Sequence, residues 1–90
     1  MNYKVFLHPK AAESLKRLNP SLRAKGKDRL KELKESPEEK GQRLRYSPFY
    51  RIRIGDYRAI YEVDREEGKV IVLFIGHRKK SITTSQGFSN

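Results

Sequence analysis

The chain contains no cysteine and no tryptophan, a single methionine, and about half as many acidic residues as basic ones. Without cysteine there is no disulfide framework and no thiolate metal site. Long apolar stretches are also missing. The longest, Val70 to Ile75, is far too short to span a bilayer. The N-terminus lacks a secretory apolar core followed by a small-residue cleavage site. These absences point to the cytoplasm. No His/Cys/Asp/Glu spacing suits a metal, and there is no nucleophile elbow or phosphate-cradling glycine-rich loop. No cofactor is implied.

What is present is charge. The 21 Lys and Arg against 11 Asp and Glu give +10 on 90 residues. That length makes one small domain. Its basic excess suggests a polyanionic partner, either nucleic acid or an acidic protein. A membrane surface fits less well, because no basic amphipathic anchor stands apart from the folded segments. Abundant Lys, Glu and Arg with scarce Asn, Gln and Met give the composition of a thermophile's protein.

The stretch Phe49 to Val63 organises the rest. Apolar and polar residues alternate on both sides of Gly55-Asp56, which predicts a two-residue hairpin. Ile54 then lies opposite Tyr57, Arg53 opposite Arg58, and Arg51 opposite Ile60. Tyr50, Ile52, Ile54, Tyr57, Ala59 and Tyr61 form the core-facing set. Arg51, Arg53 and Arg58 crowd the other face together with Phe49, Ile60 and Glu62. Like charges directly opposite on a sheet are unfavourable by some tenths of a kcal/mol. The cluster therefore suits an anion as readily as it suits a solvated surface.

Around the hairpin, Tyr3 to Leu7 reads as a strand with Tyr3, Val5 and Leu7 on one side, and His8-Pro9 ends it. A helix from Pro9 to about Leu18 aligns Ala11, Ala12, Leu15 and Leu18. Asn19-Pro20 caps and restarts a second helix to about Glu35, with Leu22, Gly26, Leu30 and Leu33 inward. Its outer faces carry Arg23, Lys25, Lys27, Arg29, Lys31 and Lys34. Glu38 to Gln42 reads as a polar connection and Arg43 to Tyr46 as a short strand. Gly68 is placed for positive φ in the loop after Val63. Val70 to Ile75 reads as a strand that is central or covered on both faces. The expected fold is α+β in the order β-α-α-β-β-β, an antiparallel sheet with both helices on one face and an open basic face opposite. Residues 1–80 form the domain, and 81–90, with no charged side chain, form a loosely held tail.

Arginine is a poor general base, since its pKa exceeds about 12. It binds phosphate in bidentate fashion and stabilises the charge of a phosphoryl transition state. Such a cluster suits nucleic-acid binding or RNA cleavage by the substrate's own 2′-OH. His77, close by in sequence, is a candidate proton carrier.

YRIRIGDYRAIYEV, a short acidic loop and VIVLFIGHRKK together resemble the RelE/ParE superfamily of toxins from type II toxin–antitoxin systems. The likeness runs from Tyr3 to about Lys80 and includes the LKESP helix end and the RLR before the hairpin. The resemblance to the RelE branch implies a metal-free endoribonuclease that cleaves mRNA in the ribosomal A site through 2′-OH attack and so inhibits translation. Carried over by position, the catalytic residues are Arg51, Arg53, Arg58 and Arg78. Arg51, Arg53, Arg45, Lys79 and Lys80 are the RNA-binding set. The implied partners are the ribosome, mRNA and a RelB-like antitoxin, acidic or partly disordered. In one place the sequence departs from that branch: the tyrosine that usually follows the strand-end arginine is replaced by Ser81-Ile82-Thr83-Thr84. This leaves open a ParE-like, non-enzymatic inhibitor of DNA gyrase, or a catalytically weakened RelE-fold protein that still binds RNA and antitoxin.

Overall fold

The computed structural model describes residues 2–77. The tail expected at 81–90, and with it the division at residue 80, lies outside the described residues. The chain begins with β1 (Lys4–Leu7), then α1 (Pro9–Arg17), α2 (Pro20–Glu32) and α3 (Pro37–Lys40). Four strands follow: β2 (Gln42–Arg43), β3 (Phe49–Ile54), β4 (Tyr57–Asp64) and β5 (Lys69–His77).

Local chemistry sets the helix ends. The His8 ring accepts from the Lys10 amide at 3.2 Å through Nδ1, and Pro9 occupies the first turn. Asn19 caps α2 by accepting from the Leu22 amide at 2.8 Å. The end expected near Glu35 comes earlier, at Glu32. The chain tightens there into bonds spanning three residues, Leu33 to Leu30 and Lys34 to Lys31. Between α2 and β2 the expected polar connection is instead the single turn of α3. Its signal is Pro37 at the start with Glu38 and Glu39 in the first turn.

The sheet order is β1-β5-β4-β3-β2. It is mixed, and the all-antiparallel expectation needs correction. β1 pairs parallel to β5, from Lys4 with Lys69 to Leu7 with Val72, while every other pair is antiparallel. The reason is topological. Two helices return the chain to the far side of the sheet, so β1 and the last strand come together with the same direction. β2 is a two-residue edge strand at Gln42–Arg43, shorter and earlier than Arg43 to Tyr46.

The helices lie on one face. Ala11, Leu15, Leu18, Leu30 and Leu33 bury against Ile52, Ile54, Ala59, Tyr61, Val70, Val72 and Ile75. Gly26 faces Leu15 of α1 and Ile54 of β3, which places α2 close to both. β5 lies centrally, between β1 and β4, and only its inner face is covered by the helices. Among the described residues, no helix is long and apolar enough to cross a membrane.

Candidate functional site

The β3–β4 hairpin has the register read from its sequence: Ile54 opposite Tyr57, Arg53 opposite Arg58, Arg51 opposite Ile60. Gly55 takes φ of +60° while Asp56 does not take a positive φ. That is the requirement of a two-residue turn with glycine first, and its twist matches the strands it joins. The pleat therefore holds Arg51, Arg53 and Arg58 on the face turned away from the helices.

These three side chains line a cleft of about 510 Å³ together with Lys40, Gly41 and Gln42. The cleft exists because β2 covers only Tyr50 and Arg51 of β3, leaving the strand edge open beyond them. Arg51 donates from Nη2 to Gln42 Oε1 at 3.0 Å, which fixes its guanidinium at the rim. Arg53 is exposed, and Arg51 and Arg58 are half-buried. Among the described residues none of the three forms an ion pair. The Nε of Arg58 is shut off from solvent yet, among the described residues, donates to no acceptor. A buried donor without a partner is unfavourable, and an anionic oxygen would satisfy it.

Lys40 and Gln42 carry no sequence signal of their own. They reach the cleft only because α3 delivers them, and α3 is pinned from behind. The buried Tyr61 hydroxyl donates to the Pro37 carbonyl, and Arg65 donates from Nε to Glu38 at 2.6 Å. Tyr61 also stacks on Tyr50, with centroids 5.5 Å apart. Burial, followed by the nearby Tyr50 and Glu38, pushes its hydroxyl well above the ordinary phenol range.

Two further residues named from sequence, Arg45 and His77, are not at the cleft. Arg45 lies in the loop before β3, its guanidinium 5.7 Å from the ring centre of Tyr46. His77 pairs with Tyr57, not with Arg58, and packs edge-on against the Tyr57 ring at 5.0 Å. Its register puts it on the helix side of the sheet, apart from the arginines. Arg78, Lys79 and Lys80 lie outside the described residues. The face opposite the helices is not uniformly basic: besides the hairpin arginines it carries Lys4 and Lys69 at its β1–β5 end, and Phe6, Ile60, Glu62, Ile71 and Phe74 share it.

Comparison with known proteins adds a family profile and three solved structures as likenesses of sequence and fold. The profile of the ParE toxin of type II toxin–antitoxin systems matches residues 5–82. A chain of the RelBE2 toxin–antitoxin complex from Mycobacterium tuberculosis is 28% identical, with a TM-score of 0.79 over 87% of this chain and 100% of that one. A chain of the RelBE complex of E. coli is 29% identical, with a TM-score of 0.76 over 83% and 95%. The archaeal RelE–RelB complex from Pyrococcus horikoshii gives 27% and 0.75, over 87% and 97%. A search of curated proteins returns no match.

Proposed function

The chain belongs to the ParE toxin family of type II toxin–antitoxin systems, and from that premise we propose that it acts as a RelE-like endoribonuclease on mRNA in the ribosomal A site. The observation that carries this reading is the arginine cleft, with three guanidiniums on one sheet face and, among the described residues, no carboxylate paired to them and no acceptor for the buried Arg58 donor. A phosphodiester supplies what that cleft lacks.

In this mechanism the substrate provides the nucleophile. The 2′-oxygen bonds to the adjacent phosphorus as the bond to the 5′-oxygen breaks, giving a 2′,3′-cyclic phosphate and a 5′-hydroxyl. The 2′ proton leaves to solvent, and the departing oxygen gains one. Arg51 and Arg53 hold non-bridging oxygens, and Arg58 stabilises the extra charge of the pentavalent state. Arg78 is carried over from the family pattern as a further phosphate contact. Arg45, Lys79 and Lys80 extend the RNA path. The RelBE relatives are toxin–antitoxin complexes. By that likeness an antitoxin restrains this toxin, and a charge of +10 favours an acidic segment in it.

The test is expression without the antitoxin and mapping of mRNA 5′ ends. Codon-phased ends on translated messages, absent with Arg58→Ala, are expected. Intact messages in growing cells would refute the nuclease.

A second reading is favoured by the family profile itself and by Ser81-Ile82-Thr83-Thr84 in place of a tyrosine: a non-enzymatic gyrase inhibitor of the ParE type. A supercoiling assay separates the two, since a ribonuclease leaves it unchanged.

A further inference from the structure

The strand β5 contains an irregularity that its sequence conceals. Val70 and Val72 point into the core, and strict alternation would send Phe74 after them. The register slips instead. Ile60 pairs with Phe74 but Tyr61 pairs with Val72, so Leu73 is an extra residue in a bulge. Beyond it the faces are exchanged: Ile75 is buried at 3% exposure and Phe74 emerges at 46% on the arginine face. Bulges commonly re-aim a side chain beside a functional site.

The ring then lies in a defined place. Gly76 pairs directly with Arg58. A Cβ built on Gly76 would meet the Cζ and Cε2 atoms of Phe74 at 2.4 and 2.6 Å, so the ring occupies the room that a side chain of residue 76 would take. Side chains directly opposite on antiparallel strands are about 4.5–5.5 Å apart at Cβ. Arg53, Arg58 and the Phe74 ring thus form one row across β3, β4 and β5. β1 ends at Leu7, opposite Val72, so among the described residues no strand flanks Phe74 on its other side.

We propose that Phe74 is a stacking platform for a nucleobase of single-stranded RNA whose phosphate is held by Arg53 and Arg58. This rests on the nuclease reading above and deepens it. Flat aromatic surface beside guanidinium groups is the combination that binds unpaired nucleotides: charge tracks the backbone and the ring takes the base. An exposed phenylalanine that was merely surplus would need neither a bulge to turn it outward nor a glycine to receive it.

The experiment is single-turnover cleavage of mRNA on ribosomes with an empty A site. The codon is used intact or with one abasic nucleotide at each of its three positions. Wild type should lose rate on one of the abasic templates. Phe74→Ala should lose roughly 5- to 150-fold on the intact codon, the range of one base–aromatic stack, and nothing further on that abasic template. Phe74→Trp should retain the rate. Gly76→Ala, which keeps the ring but drives it from its seat, should lose it. Unchanged thermal melting of the half-exposed Phe74→Ala variant would show that the fold is intact.

Cleavage by Phe74→Ala at the wild-type rate overturns the platform and leaves the nuclease standing. Equal losses on intact and abasic codons also overturn it. So does loss of antitoxin binding with cleavage preserved, which would make the ring a protein contact. If wild type cleaves none of the templates, the nuclease reading fails and the platform fails with it.

Discussion

At the scale of single residues, the site sets function against stability. Arg53 and Arg58 stand directly opposite each other and, among the described residues, neither is paired to a carboxylate. Arg53→Ala should therefore stabilise the fold slightly, by a few tenths of a kcal/mol, read as a higher urea midpoint. The same change should lower cleavage by about 10²–10³, the usual consequence of removing one donor from a developing oxyanion. Gln42→Ala frees the Arg51 guanidinium and should reduce cleavage several-fold without altering melting, since both side chains are at the surface. Tyr61 shows how much a sequence reading leaves out. Its core-facing position was legible from alternation, but its hydroxyl bond to Pro37, 24 residues away, was not. Tyr61→Phe leaves that buried carbonyl without its donor and should cost about 1–3 kcal/mol. The sign of its pH effect follows from burial, which raises the folded phenol above its unfolded value. Stabilisation by the neutral hydroxyl is complete below about pH 10, where the unfolded phenol titrates, and is lost as pH rises from there through the folded value. Urea midpoints from pH 8 to 11 should fall more steeply for wild type than for Tyr61→Phe.

At the scale of elements, whatever repeats with a short period was readable. The hairpin register, both long helices, the Asn19 cap and the positive φ at Gly68 all rest on residues within a few positions of one another. Gly55→Ala should cost about 1–2 kcal/mol in chemical unfolding, because a side chain at φ of +60° is strained and would also press on Leu22. Asn19→Ala should cost about 1 kcal/mol through the lost α2 cap. What escaped the sequence depends on distant chain. β1 meets β5 because of where two helices return it. α3 persists because Tyr61 and Arg65 hold it. The bulge at Leu73 satisfies a strand that must present Val72 and Ile75 inward while carrying Gly76 opposite Arg58. The candidate site divides the same way. Arg51, Arg53 and Arg58 were visible from alternation alone, whereas Lys40, Gln42 and Phe74 become neighbours only in three dimensions.

At the scale of the whole molecule, charge governs affinity. With +10 on the chain, binding to RNA should weaken steeply with salt. Replacing Arg51, Arg53 and Arg58 together should reduce the slope of log K against log salt by about 2, at roughly 0.7 per phosphate of a single strand. Titrations of a programmed ribosome at several salt concentrations measure this. The parallel pairing of Lys4–Leu7 with Lys69–Val72 has a consequence for a nascent chain. The opening segment has no bonding neighbour until the closing one has left the exit tunnel, so the sheet assembles late. Contacts this remote in sequence also form slowly. On the proposed nuclease reading, the polypeptide should therefore stay unarmed until that closing segment is free to pair, and the ribosome translating it should be spared until then.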